Sequence, residues 1–266
     1  MELEGKKSHL GKKHRITLND YFELHEKTKR NKSNEETPIK ENHTISKEKI
    51  ENVQEKESSS IIEKEDTPKR LSRSFFTVDV VTLAKNLLGQ QIVRITPKGE
   101  TRFKIVETEA YKAPEDKACH AYNNKKTERT KFFWQDGGCL YIFMIYGHCC
   151  LNITAATKSE PEAVLIRAVE PVSGIDIVRD VRKSKKDVDL TNGPGKVGDA
   201  MMLSLDDNGV DLCSSGEMYM VEGDEEVDVG VSKRINIDYA EEWKDKMWRF
   251  YIKGNKYVSK VPNKKK

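Results

Sequence analysis

The constraint that comes first is where the charge sits. Residues 1–70 of this 266-residue chain are crowded with Lys, Glu, Asn and Ser, carry few large apolar side chains, and nearly cancel in net charge. Such a segment cannot bury enough apolar surface to offset its chain entropy, so it is expected to be a disordered charged tail. A fold must then come from residues 71–260, a length that suits one domain around one core. Residues 261–266 form a basic end. No apolar run approaches the ~18 residues of a membrane span. The five cysteines (Cys119, Cys139, Cys149, Cys150, Cys213) are odd in number and irregular in spacing, which predicts a reducing compartment. The N-terminus does not read as a secretory signal, and Glu2 and Glu4 argue against a mitochondrial address. A net charge of +3 is weak ground, taken alone, for a nucleic-acid partner.

Within 71–260 the pattern predicts an α+β domain with a mainly antiparallel, curved sheet, surrounding helices and a protruding hairpin. Thr77 is a plausible cap for a helix over 77–88, stopped by Gly89. Gln91–Ile95 and Thr101–Glu109 read as a hairpin around Pro97-Lys98-Gly99. Cys139–Ile145 and Cys150–Ala155 read as a second one, turning at Tyr146-Gly147-His148. Ala163–Val169 is an apolar strand broken by Arg167, Ser173–Lys185 an amphipathic helix, and Lys196–Leu203 a short helix. Further strands are expected at Arg234–Ile237 and Trp248–Ile252.

The chemistry concentrates in Phe103–Tyr122. Alternation puts Phe103, Ile105, Glu107 and Glu109 on one strand face, and two carboxylates on a face that begins apolar must be paired or used. Either glutamate could serve as a general base, and Arg167, stranded in AVLIRAV, needs a buried anion that one of them could supply. Tyr111 and His120 follow just beyond, where a stacking pocket competes with an ordinary core. Tyr146 at a hairpin tip is a candidate wedge for a base stack. Gly193-x-Gly195-x-x-Gly198 follows a polar stretch, so the dinucleotide reading fails and a glycine loop with phosphate contacts at Gly193, Gly195 and Lys196 remains. The cysteines and histidines lack zinc-type spacing, and no metal or cofactor is expected. In the tail, Lys12-Lys13-His14-Arg15 is a basic cluster that reads either as a nuclear address or as a chance run among many lysines. Leu18, Tyr21 and Phe22 either resemble the box by which repair proteins bind the sliding clamp, with Arg15 where that box usually has Gln, or are an accidental hydrophobic spot.

Together, IVETEAY (105–111), Pro114-Glu115-Asp116, His120, LYIFMIYG (140–147), Asn152-Ile153, LIRAVEP (165–171), NGPGK (192–196) and Arg249-Phe250-Tyr251 resemble the alkyladenine DNA glycosylase family, 3-methyladenine DNA glycosylases of the alkylpurine type. The resemblance runs from about Leu71 to Ser259. It implies a monofunctional, monomeric glycosylase of base excision repair that flips alkylated or deaminated purines from duplex DNA and hydrolyses the N-glycosidic bond. The damaged bases would be 3-methyladenine, 7-methylguanine, hypoxanthine and ethenoadenine. Glu109 would be the general base, and Arg167 would hold the water. Tyr111, His120 and Phe143 would line the base pocket, and Asn152 would disfavour guanine. Tyr146, with His148 beside it, would fill the gap left in the stack. Phe143 stands where the family often has Tyr. The stretch from Tyr146 to Asn152 is one residue shorter than usual, with His148 where Met is common. A catalytically idle DNA- or clamp-binding protein on the same fold is the rival reading, and a hydrolase of another glycoside a third.

Overall fold

The strand expected through Phe103–Glu109 is the spine of the sheet. It runs further than alternation alone marks, as β2 (Gly99–Lys112), after β1 (Gln91–Thr96). The computed structural model describes residues 69–223 and 226–259. The Lys12–Arg15 cluster, the Leu18, Tyr21 and Phe22 box and the basic end at 261–266 lie outside the described residues.

The other strands are β3 (Leu140–Ile145), β4 (His148–Thr154), β5 (Glu162–Ser173), β6 (Met218–Val221), β7 (Val229–Ser232) and β8 (Arg249–Ile252). Among the described residues all pairings between these strands are antiparallel, in the order β3-β4-β5-β2-β1-β6. β8 joins the distal half of β2 and carries β7. The protein is therefore α+β, a single domain around an open antiparallel sheet. Among the described residues the α-helices that accompany the sheet are α1 (Arg73–Phe76), α2 (Val80–Asn86), α3 (Ile175–Arg182) and α4 (Pro194–Ala200). Val80 and Leu83 of α2, Val178 of α3 and Val197 of α4 reach one core with Phe103, Ile105, Leu151 and Ile166.

Several boundaries differ from expectation for local reasons. Thr77 closes α1, its N–H and hydroxyl both donating to the Arg73 carbonyl, and Asp79 caps α2 by accepting from the N–H groups of Val81 and Thr82 at 2.9 and 3.2 Å. Ser173 ends β5, and Gly174 at φ +70° turns the chain so that α3 begins only at Ile175. Lys183, left-handed at φ +50°, ends that helix before Lys185. α4 starts two residues early because Pro194 suits the first helical turn. Arg234–Ile237 is not a strand; β7 ends before it at Ser232, and the side chain of Arg234 and the N–H of Ile235 are both spent on partners outside the sheet ladder.

The larger correction concerns the spine. Ile105 pairs with Val169, Glu107 with Ala168 and Thr108 with Ile166, so Val106 is an extra residue on β2 and Arg167 an extra residue on β5. Each bulge shifts the alternation by one. Phe103 and Ile105 point into the main core, and beyond the bulge Ala110 does so too, while the Thr108 hydroxyl donates to the Ala84 carbonyl of α2 at 2.7 Å. Glu107 and Glu109 consequently leave from the face opposite Phe103 and Ile105. The single apolar-then-acidic face expected from alternation does not exist.

Candidate active site

Residues paired across neighbouring strands share a face. One row crosses five strands: Tyr141 of β3, Asn152 of β4, Leu165 of β5, Glu109 of β2 and Arg249 of β8. Phe143, Arg167, Glu107 and Tyr111 lie two residues along their strands from members of this row, and so belong to the same face. The register thus brings Glu109, Arg167, Tyr111, Phe143 and Asn152 to one side of the sheet.

Glu109 is wholly buried and its carboxylate is fixed by three donors. Tyr111 Oη donates to Oε2 at 2.7 Å, Arg167 Nη1 to Oε2 at 3.3 Å, and the Ile235 N–H to Oε1 at 2.8 Å. Glu107, equally buried, accepts Arg167 Nε at 3.0 Å and Arg249 Nε at 2.7 Å, and its two oxygens take the hydroxyl and the N–H of Ser259 at 2.9 and 2.6 Å. The two carboxylates therefore differ in kind. Glu107 holds Arg167 from behind; Glu109 carries fewer partners, one of them the phenol of a part-buried ring.

Burial, and then the charge of Glu109, push the Tyr111 phenol well above its usual range, so it remains a donor. His120 is pulled down to about 4, first by burial and then by the Arg129 charge, so its imidazole is neutral near pH 7. Its Nδ1 lies 2.8 Å from Tyr141 Oη, a hydroxyl pushed up to about 12 chiefly by burial. The His120 ring meets Phe143 edge-on at 4.7 Å between centroids, and Tyr141 stacks near Phe143 at 5.9 Å. Tyr111 and Phe143, both part-exposed, pack on the cluster of Cys119, Phe133, Tyr141 and Ala163. The result is an aromatic wall beside a buried carboxylate. The sequence model of the methylpurine-DNA glycosylase family matches residues 74–256, which span both.

The chain belongs to the methylpurine-DNA glycosylase family.

The resemblance drawn from the motifs therefore holds. Membership makes the protein a DNA glycosylase, a hydrolase acting on DNA in the repair of alkylation damage. Similar proteins include one from Clostridium novyi, 50% identical over 203 residues covering 72% of this chain and 99% of its own. One from Natranaerobius thermophilus is 47% identical over 195 residues (71% and 98%), and one from Borreliella afzelii 45% identical over 193 residues (71% and 100%). Each is named "Putative 3-methyladenine DNA glycosylase".

In this glycosylase Asn152 is buried, and its amide NH2 donates to the carbonyls of Tyr141 and Cys150 at 3.0 and 3.3 Å. Its two donor hydrogens are spent on backbone, which fixes the orientation of the amide. The β3–β4 hairpin turns in two residues, not three. Tyr146 and Gly147 have φ +51° and +81°, and His148 already pairs with Ile145. Tyr146 is 94% exposed, flanked by exposed Met144 and Ile145. His148 is turned aside: Nδ1 sits 2.9 Å from Asp199 of α4, and its Cβ faces Gly195. The glycines of α4 have a packing reason. A Cβ on Gly198 would stand 1.9 Å from the Cys149 carbonyl oxygen, and one on Gly195 2.9 Å from His148 Cβ. Gly193 meets no such neighbour, and Lys196 Nζ donates to Asn192 Oδ1 at 2.6 Å. Among the described residues no cluster of His, Cys, Asp or Glu is arranged to hold a metal.

Sequence reasoning missed Ile235, whose contribution is a backbone N–H and carries no residue signature. It also missed Ser259 and the roles of Asp116 and Arg249. The last two stood in matched motifs, and a buried carboxylate's need for donors was the signal that could have singled them out.

Proposed function

We propose that the protein is a monofunctional glycosylase that flips alkylated or deaminated purines out of duplex DNA and hydrolyses the N-glycosidic bond with water activated by Glu109. The observation that carries this is the wholly buried Glu109 carboxylate, held by Tyr111, Arg167 and the Ile235 N–H beside an aromatic wall. Fixed donors restrict the carboxylate to one orientation, which favours proton removal from a single water. Arg167, anchored by Glu107, is suited to bind that water. An alkylated purine is a good leaving group, so a base, a water and a selective pocket suffice.

The flipped base would stack between Tyr111 and Phe143, near neutral His120. In the tautomer in which Nδ1 accepts from the Tyr141 hydroxyl, the His120 Nε2–H would donate to the base. Asn152 would face the purine edge and disfavour guanine. Tyr146 would enter the gap in the stack, and the strain of a non-glycine residue at φ +51° supports a functional reason for that side chain. Hydrolysis rather than lyase chemistry is supported by the lysines that flank the motif, since Lys112 pairs with Glu162 and Lys117 with Glu241 and Glu242.

The test is an excision assay over duplexes carrying one hypoxanthine, 7-methylguanine or ethenoadenine each, with methylated DNA as the source of 3-methyladenine. Wild type should release at least one base and leave an uncleaved abasic strand. Glu109→Gln should release none while still binding the same duplex; normal turnover by that variant would sink the mechanism.

A further inference from the structure

We propose that Arg234, locked by Asp116, is a positioning residue that aims the Glu109 carboxylate. The proposal rests on Glu109 being the base, and it assigns a role to a pair that touches no reacting atom. Arg234 and Asp116 are both buried and meet in a two-point ion pair, Nη1 to Oδ2 at 2.5 Å and Nη2 to Oδ1 at 2.8 Å. Nη1 also donates to the carbonyl of Ala110, the residue after Glu109, at 2.9 Å, and Nη2 to the Trp243 carbonyl at 3.1 Å. The guanidinium lies 4.7 Å from the centre of the Tyr111 ring and 5.2 Å from that of Trp248.

Glu109 has two donors besides Arg167, and both adjoin Arg234. One is the N–H of Ile235, the next residue in the chain; the other is the hydroxyl of the ring that Arg234 covers. Asp116 adds the third connection, because it accepts the Ala118 N–H at 3.0 Å and so anchors the loop that leads to His120. Moving Arg234, backbone and side chain together, would therefore shift a donor to each oxygen of Glu109 and the Tyr111 ring.

Stability is a poor alternative explanation. A buried ion pair roughly breaks even against apolar replacements, and here Arg234 Nε is buried with no hydrogen-bond partner among the described residues, a further cost to folding. The arrangement favours direction over stability. Lysine could supply the charge but neither the two-point grip nor the stacking plane.

The experiment uses the full chain and the best-excised duplex from the panel above. Arg234→Lys, Asp116→Asn and the paired Asp116→Asn/Arg234→Gln are each compared with wild type in single-turnover excision. Lesion binding is measured with each change in a Glu109→Gln background. The maximal rate should fall about ten- to a hundredfold while the half-saturating enzyme concentration stays within about twofold. Combining Arg234→Lys with Tyr111→Phe should cost less than the product of the separate losses, because both act through one carboxylate. An undiminished rate, an equal fall in rate and affinity, or losses that multiply would each overturn the proposal. Should the paired variant fail to fold, Arg234→Lys keeps the buried charge balanced and carries the same test. Failure of the underlying reading is distinguishable, because Glu109→Gln would then excise normally.

Discussion

His120 ties the acid stability of this fold to its pocket. Its imidazole has a folded value of about 4 against an ordinary 6.5. The unfolded chain therefore takes up a proton below pH 6.5 that the folded chain refuses until about pH 4. The stabilising contribution is complete above pH 6.5 and is lost as the pH falls through that window. Between pH 7.5 and pH 5.0 the linkage amounts to about 2 kcal/mol, and nearer to ~1 kcal/mol once screening of a part-exposed ring is allowed for. For a domain of this size that is roughly 2–8 °C in melting temperature. The assay is thermal unfolding of wild type and His120→Asn at both pH values. Asparagine keeps an acceptor near Tyr141 but does not titrate. Other groups titrate in the same range, so the readout is the difference between the two proteins: wild type should lose more stability on acidification than the variant, by the amount above. Parallel losses would refute the idea that the pocket holds a proton-refusing imidazole.

Two further outcomes follow from the hairpin. Tyr146→Asn puts a residue that tolerates left-handed backbone at φ +51°, so it should leave stability unchanged or raise it by about 0.5–1 kcal/mol while weakening lesion-duplex binding; unchanged or tighter binding would contradict the wedge. Gly198→Ala should destabilise the protein by about 2 kcal/mol or more in denaturant unfolding, since its Cβ would meet the Cys149 carbonyl oxygen at 1.9 Å; a change under ~0.5 kcal/mol would show that α4 does not pack tightly on β4.

The local half of this architecture is written in the chain. β-Branched residues mark β1 and β2, an apolar run marks β5, and Tyr146-Gly147-His148 marks a hairpin turn of which the structure gives His148 to β4. Glu107 and Glu109, two apart on a strand, must share a face whichever face it is. Arg167 announces a buried anion, because a guanidinium in an apolar strand needs one. Each of these depends on residues a few positions apart, and steric and hydrogen-bonding rules act at that range.

What tertiary structure alone decided is which way that face points and what surrounds it. Two bulges, Val106 on β2 and Arg167 on β5, offset one another in register, and between them they turn the carboxylates away from the core that Phe103 and Ile105 enter. No local propensity marks a bulge whose cause is a partner strand about sixty residues on. The difference between the donor sets of the two glutamates is likewise long-range. Ser259 and Arg249 saturate Glu107, while Ile235 supplies Glu109 with a single N–H. Sequence by itself determined that two carboxylates share a strand face and that Arg167 needs a buried anion; only the packing of distant segments, which alone can desolvate a carboxylate and choose its donors, decided that both are buried and which donors each receives.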